Sequence, residues 1–132
     1  MKHVAYILIL LAWTGCSSTK KANVPGTSAD HDATSARAYG YDERNPIKVG
    51  GGPSYEREYL NHLTGPNGEK VTYVRQGSCC PFKTPNALFG DSGMLDRYEV
   101  TYEGQDKPAI LYLNMYDKDT LRAPEGFILK NE

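Results

Sequence analysis

The sequence predicts an α+β fold in which one helix packs on a mainly antiparallel sheet of four to five strands. Three observations carry that expectation. Tyrosine dominates the aromatic residues, ten against three Phe and one Trp, and it suits strands whose side chains have an apolar body and a wet tip. Two runs, Met94 to Tyr102 and Ala109 to Asp117, alternate apolar and polar residues around the connection Glu103 to Pro108, as the arms of a hairpin do. One stretch, Ser54 to Leu63, instead places Tyr55, Tyr59, Leu60 and Leu63 at helical spacing, the stripe of an amphipathic helix.

In chain order, Met1 to His3 precede the apolar run Val4 to Cys16, VAYILILLAWTGC. A short basic start, an apolar stretch and small residues before a cysteine form the layout of a secretory signal peptide. The run is shorter than the roughly 20 apolar residues that span a bilayer. Thr14, Gly15 and Cys16 resemble the end of a bacterial lipobox, with Trp13 standing where leucine is usual. Residues 1–15 are therefore expected to be a lipoprotein signal, with Cys16 the acylated first residue of the mature chain. Residues 16–38 have almost no apolar content and no period, so they read as a tether. The folded domain is expected over residues 39–132, enough chain for one small domain.

Within it, Asn45-Pro46 marks a turn before Ile47, Lys48 and Val49, a short strand. Gly50 to Pro53 separate it from the helix, for which Ser54 is the expected N-cap and Gly65-Pro66 the stop. Val71 to Val74 alternate as a second strand reaching Gly77. From Ser78 to Thr84 no period remains, so an irregular loop is expected, with Thr84-Pro85 opening a short helical turn closed by Gly90. Pairing Tyr102 with Ala109 sets Val100 against Leu111, Tyr98 against Leu113 and Asp96 against Met115, making one face apolar. That face, under the helix stripe, is the expected core. The other face carries Arg97, Glu99, Tyr112, Asn114 and Tyr116. Gly126 to Leu129, after Pro124, read as a last edge strand.

A net charge of −1 leaves no electrostatic footprint for nucleic acid. Cys79 and Cys80 are the most reactive-looking residues. Adjacent cysteines have Cα atoms about 3.8 Å apart, closer than most disulfides allow, so a vicinal bond would be easily reduced. Two buried thiols, a vicinal disulfide and a nucleophile with His62 as its base all remain open. His62, near the helix end, equally suits a plain dipole partner. No spaced ligand set for a metal and no cofactor motif is present. Gly50-Gly51-Gly52 before a helix suggests an anion nest, but Glu56 and Glu58 already place negative charge in that first turn. The face of Arg97, Glu99, Tyr112, Asn114 and Tyr116 offers stacking and hydrogen bonds to a sugar or peptide.

The stretches NPIKVGG, GPNGE, GSCCPF, DRYEVTYEG and LYLNMYD resemble a group of small bacterial lipoproteins, GSCCPF being the most specific part. Some of that group carry the label 2-dehydro-3-deoxyphosphooctonate aldolase. That activity is not carried over here, because such an enzyme is a (β/α)8 barrel of about 250 residues, and no basic cluster for two phosphorylated substrates exists in this domain. The expectation is a membrane-anchored envelope lipoprotein, on the outer membrane facing the periplasm, acting as a non-catalytic binding or accessory module for an envelope protein or glycan. The alternatives are a small thiol-dependent enzyme or redox protein using Cys79 and Cys80, and a structural lipoprotein without a ligand.

Overall fold

The computed structural model describes residues 38–130; the expected signal segment, the expected acylation position Cys16 and nearly all of the expected tether lie outside them. The elements run β1 (Ile47–Lys48), α1 (Pro53–His62), β2 (Leu63–Thr64), β3 (Thr72–Lys83), β4 (Ser92–Thr101), β5 (Ala109–Asn114) and β6 (Ile128–Leu129). They form a four-stranded sheet in the order β1-β5-β4-β3 and a two-stranded sheet of β2 and β6. Only the β1–β5 pair is parallel. The fold is thus one helix with a mainly antiparallel sheet, as the tyrosine-rich alternation predicts. The last strand does not extend that sheet: Ile128 and Leu129 pair with Thr64 and Leu63.

The helix differs from expectation at both ends. Gly52, at φ 94°, is the N-cap and Pro53 opens the first turn, where a missing N–H costs nothing; Ser54 makes no cap. The helix ends at His62 because Leu63 turns extended and pairs with β6, well before Gly65. Its buried residues are Glu56, Tyr59 and Leu60. Tyr55, expected on that stripe, is 47% exposed, and Glu56, expected at the solvated helix start, is 0% exposed. The stripe keeps Tyr59 and Leu60 and exchanges Tyr55 for Glu56.

Tyr59, Leu60 and Leu63 pack with Tyr98, Val100, Leu111 and Leu113, joined by Tyr39, Ile47, Val49, Val71 and Phe127. The central hairpin keeps its apolar face but closes two residues away from the expected register, with Val100 opposite Ala109, Tyr98 opposite Leu111 and Asp96 opposite Leu113. The cause is local. Tyr102 spends both backbone groups on the turn, its N–H donating to Gln105 Oε1 and its carbonyl accepting from the Gln105 N–H, so pairing begins at Val100. A shift of two residues preserves which face each side chain takes.

The largest difference lies in β3. The irregular loop expected at Ser78 to Thr84 is a continuation of the strand, carried past two bulges, between Arg75 and Gly77 and between Cys79 and Pro81. A bulge adds one residue to one strand and turns every later side chain to the other face. Two bulges within six residues erase the period that marks a strand. Beyond the strand, Thr84 to Gly90 is a turn with no helix, tied by the Asn86 N–H to Thr84 Oγ1 and the Thr84 N–H to the Asp91 carbonyl.

Candidate functional site

The two bulges assign β3 side chains to faces. The first puts Arg75 and Ser78 on the helix side together, although three residues apart they would alternate in a regular strand. There they converge on Asp96: Arg75 Nε and Nη2 donate to its two oxygens at 2.8 and 2.7 Å, and Ser78 Oγ donates at 2.7 Å. Asp96 is 4% exposed. Burial pushes its carboxyl upward, but the guanidinium and the Ser78 hydroxyl outweigh that and hold it below the usual carboxylate value. Glu56 meets the opposite fate. Burial and then the negative charge of Asp96 raise it to about 7, against the hydrogen bond it accepts from the Tyr98 hydroxyl at 3.0 Å. Its Oε1 is buried without a hydrogen-bond donor, which disfavours the charged form in the same sense as the burial.

Cys79 follows Ser78 in normal alternation and stands opposite Leu95 on the face away from the helix, and the second bulge brings Phe82, opposite Gly93, to that same face. Cys79 and Cys80 form a disulfide, and Cys80 is the only non-glycine at positive φ among the described residues, at 57°. Of the readings left open for the pair, the structure takes the vicinal bond and not two buried thiols; both cysteines are half-buried. Cys80 lines a groove of about 530 Å³ with Pro46, Phe82, Leu95, Lys48, Asn114 and Asp117, and with Glu43, Arg44, Pro81 and Lys83 at its rim. Arg44 pairs with Asp42 and Lys83 with Asp91. Asp117 is pulled up by burial and more strongly down by hydrogen bonds from Thr84, Asn86 and Asn114 and by Lys48. The groove therefore mixes apolar residues (Pro46, Phe82, Leu95) with polar and charged ones of both signs, a lining that suits a ligand with both characters.

The expected binding face meets this groove. Arg97 stands opposite Tyr112 and Glu99 opposite Ile110, not opposite Asn114 and Tyr112 as the sequence register had it. Arg97 is exposed, and Glu99 and Tyr112 are half-exposed. Tyr116 packs edge-on against Phe82, ring centroids 5.9 Å apart, over Gly93, where a Cβ would come within 2.9 Å of its ring. Tyrosine face and cysteine segment are thus one surface. Asn114 leaves the list of presented groups: it is 1% exposed, accepts from the N–H groups of Tyr116 and Asp117 and donates to Asp117 Oδ2, a local bond pattern that ends β5.

His62 is not brought to the cysteines. It lies in the last turn of α1 and lines a separate pocket with Tyr55, Tyr59 and Leu129, so the structure assembles no cysteine–histidine dyad. Among the described residues no group of three or more His, Cys, Asp or Glu is placed to hold a metal ion, and no helix is long and apolar enough to cross a membrane. Sequence reasoning missed Lys48, Phe82, Leu95 and Asp117 as groove residues: the second bulge turns Phe82 to this face, and the parallel β1–β5 pairing sets Lys48 beside Asn114, to which Asp117 is bonded. It also passed over the buried acids, although Asp96 falls in phase with Tyr98 and Val100 on the apolar face, which was a readable signal. No known protein family, curated protein or solved structure matches the chain.

Proposed function

We propose that the chain is an envelope lipoprotein, acylated at Cys16 and held on the outer membrane facing the periplasm, whose domain is a non-catalytic binding module for an envelope glycan or protein. Its ligand site is the sheet face away from the helix, where the disulfide groove meets Arg97, Glu99 and Tyr112. One observation carries the reading: a groove of about 530 Å³ with mixed apolar and polar lining lies on the same sheet face as Arg97, Glu99 and Tyr112, which are exposed or half-exposed and carry a tyrosine and both charge signs. Such surfaces bind by stacking and directed hydrogen bonds. The resemblance of GSCCPF to small bacterial lipoproteins and the lipobox-like Thr14-Gly15-Cys16 supply the compartment.

Intact mass spectrometry of the protein from its own membrane tests the anchor; the reading requires a mature mass that begins at acylated Cys16. The site is tested by titrating the chain with soluble peptidoglycan fragments, and separately with envelope-protein peptides, while following backbone NMR shifts. Shifts centred on Cys80, Phe82 and Tyr112, abolished by Tyr112→Ala, are expected with one class of probe.

A thiol-dependent redox function is the second reading, favoured by the half-exposed disulfide. Turnover separates the two: a redox protein cycles dithiothreitol against an added disulfide and loses that activity in Cys79→Ser/Cys80→Ser, whereas a binding module has no such turnover to lose. A structural lipoprotein without a ligand would show no shifts with either probe.

A further inference from the structure

The disulfide occupies the second bulge itself. Along β3 and β4, Cys79 faces Leu95 and Pro81 faces Met94, so Cys80 is the supernumerary residue and sits at φ 57°. L-residues other than Asn and Asp rarely hold that conformation unless something fixes it. Here the bond to Cys79 closes a small ring around the peptide between them. Past the bulge the chain is held by few contacts. Pro81 has no N–H to donate, Phe82 and Lys83 pair with Gly93 and Ser92, and Thr84 donates its N–H to the Asp91 carbonyl and its hydroxyl to Asp117. Phe82 is both a groove wall and the partner of Tyr116.

We infer that the Cys79–Cys80 bond is a redox pin that sets the shape of the binding groove; this rests on the binding reading above and names the regulation of that same site. The reductant is a dithiol, small or protein-borne. Its thiolate attacks Cys80 Sγ, the sulfur that lines the groove; the Cys79–Cys80 bond breaks, a mixed disulfide forms and Cys79 leaves as thiolate. The second thiolate of the dithiol then attacks its own half of the mixed disulfide, departs as a cyclic disulfide and frees Cys80. Two electrons pass to the cysteine pair, and the two protons shed by the dithiol end on it. Vicinal cysteines, with Cα atoms 3.8 Å apart, lie below the usual disulfide range and yield readily to such exchange. Once reduced, Cys80 relaxes to negative φ. The extra residue can no longer be stored at that point, pairing from Pro81 to Lys83 breaks, and Phe82 leaves the groove wall. Upstream, Arg75 and Ser78 remain clamped to Asp96, so the change stops at the bulge.

The test is amide hydrogen exchange on the full chain in detergent, oxidised and then reduced with dithiothreitol. Exchange at Phe82, Thr84 and Met94 is expected to quicken at least tenfold, with Tyr98 and Leu111 unchanged and the protection restored on reoxidation. No change at Thr84, or an equal rise across the whole sheet, overturns the inference. A pair of variants removes the reductant from the question. Cys79→Ser/Cys80→Gly lacks the bond but tolerates positive φ, so it should keep Thr84 protected where Cys79→Ser/Cys80→Ser does not; equal exchange in both overturns the pin. None of these measurements uses a ligand. A pin that holds while every titration is silent sinks the binding reading alone, and binding without any redox effect sinks the pin alone.

Discussion

The two faces of the four-stranded sheet share the same strands and obey opposite rules. Beneath the helix even charge is withdrawn from water: Glu56 and Asp96 are buried, one neutralised by its surroundings and the other matched by Arg75 and Ser78. On the other face Arg97, Glu99 and Tyr112 reach water beside a groove lined by Leu95 and Cys80. Because side chains alternate along a strand, the division in β4 follows parity: 96, 98 and 100 face the helix, while 97 and 99 meet water on the other face, beside Leu95, which stays buried under the groove. Stability and recognition are thus separable one residue at a time.

The hardest blow to the covered face is Leu111→Ala. Leu111 is 0% exposed on the strand beside β4, and its truncation should cost about 2–5 kcal/mol; an unshifted urea midpoint would break the comparison at its root. Next is pH. Glu56 titrates at about 7 in the folded chain against an ordinary 4.5. The folded state therefore holds its proton more tightly than the unfolded one, and stability from this group is full below pH 4.5 and lost as pH rises through 7, on the order of 3 kcal/mol. Asp96, whose carboxyl is depressed, acts in the opposite sense and only at lower pH. Urea midpoints between pH 5 and 8 should fall in the parent and flatten in Glu56→Gln.

Arg75→Met strips Asp96 of its cation and should lose about 2–3 kcal/mol, the low end for a broken buried pair because Arg75 is itself half-exposed. If the loss instead matches that of an exposed residue, the acid cluster is not dry. Gly93→Ala drives a methyl into the rings of Tyr116 and Phe82, an overpacking of about 1–2 kcal/mol that near-ultraviolet circular dichroism should register in the tyrosine band. The smallest effect belongs to Arg97→Ala and Tyr112→Ser, expected within about 0.5 kcal/mol of the parent while removing ligand-induced NMR shifts. A large stability loss there would mean that the open face is not open.

Much of this architecture was legible in the residues. The hairpin declared itself through Tyr98, Val100, Leu111 and Leu113, and the helix through Tyr59, Leu60 and Leu63, because those periods reflect burial directly. What stayed hidden has physical reasons. Glu56 reads as a surface acid unless its partners Tyr98 and Asp96 are known, and they lie forty residues away. The bulges of β3 erase the alternation at the segment that builds the groove, so Ser78 to Thr84 looked formless where it is most specified. Cys79 and Cys80 drew attention by reactivity alone. Their neighbours Lys48, Phe82 and Asp117 come from three distant stretches of chain and share no local pattern.

The opening of the described chain is fastened to its close by aromatic residues. The Tyr39 ring lies under the Arg122 guanidinium at 4.5 Å, the Tyr41 hydroxyl donates to the Glu125 carbonyl and the Tyr59 hydroxyl to that of Arg122, both at 2.6 Å. The Gly40 carbonyl accepts from the Tyr112 N–H at 2.7 Å, and β1 then runs parallel to β5. In mechanical terms this is a strain relief. A pull arriving at Ala38 meets several of these fastenings at once, so the load is shared before it reaches the central strands.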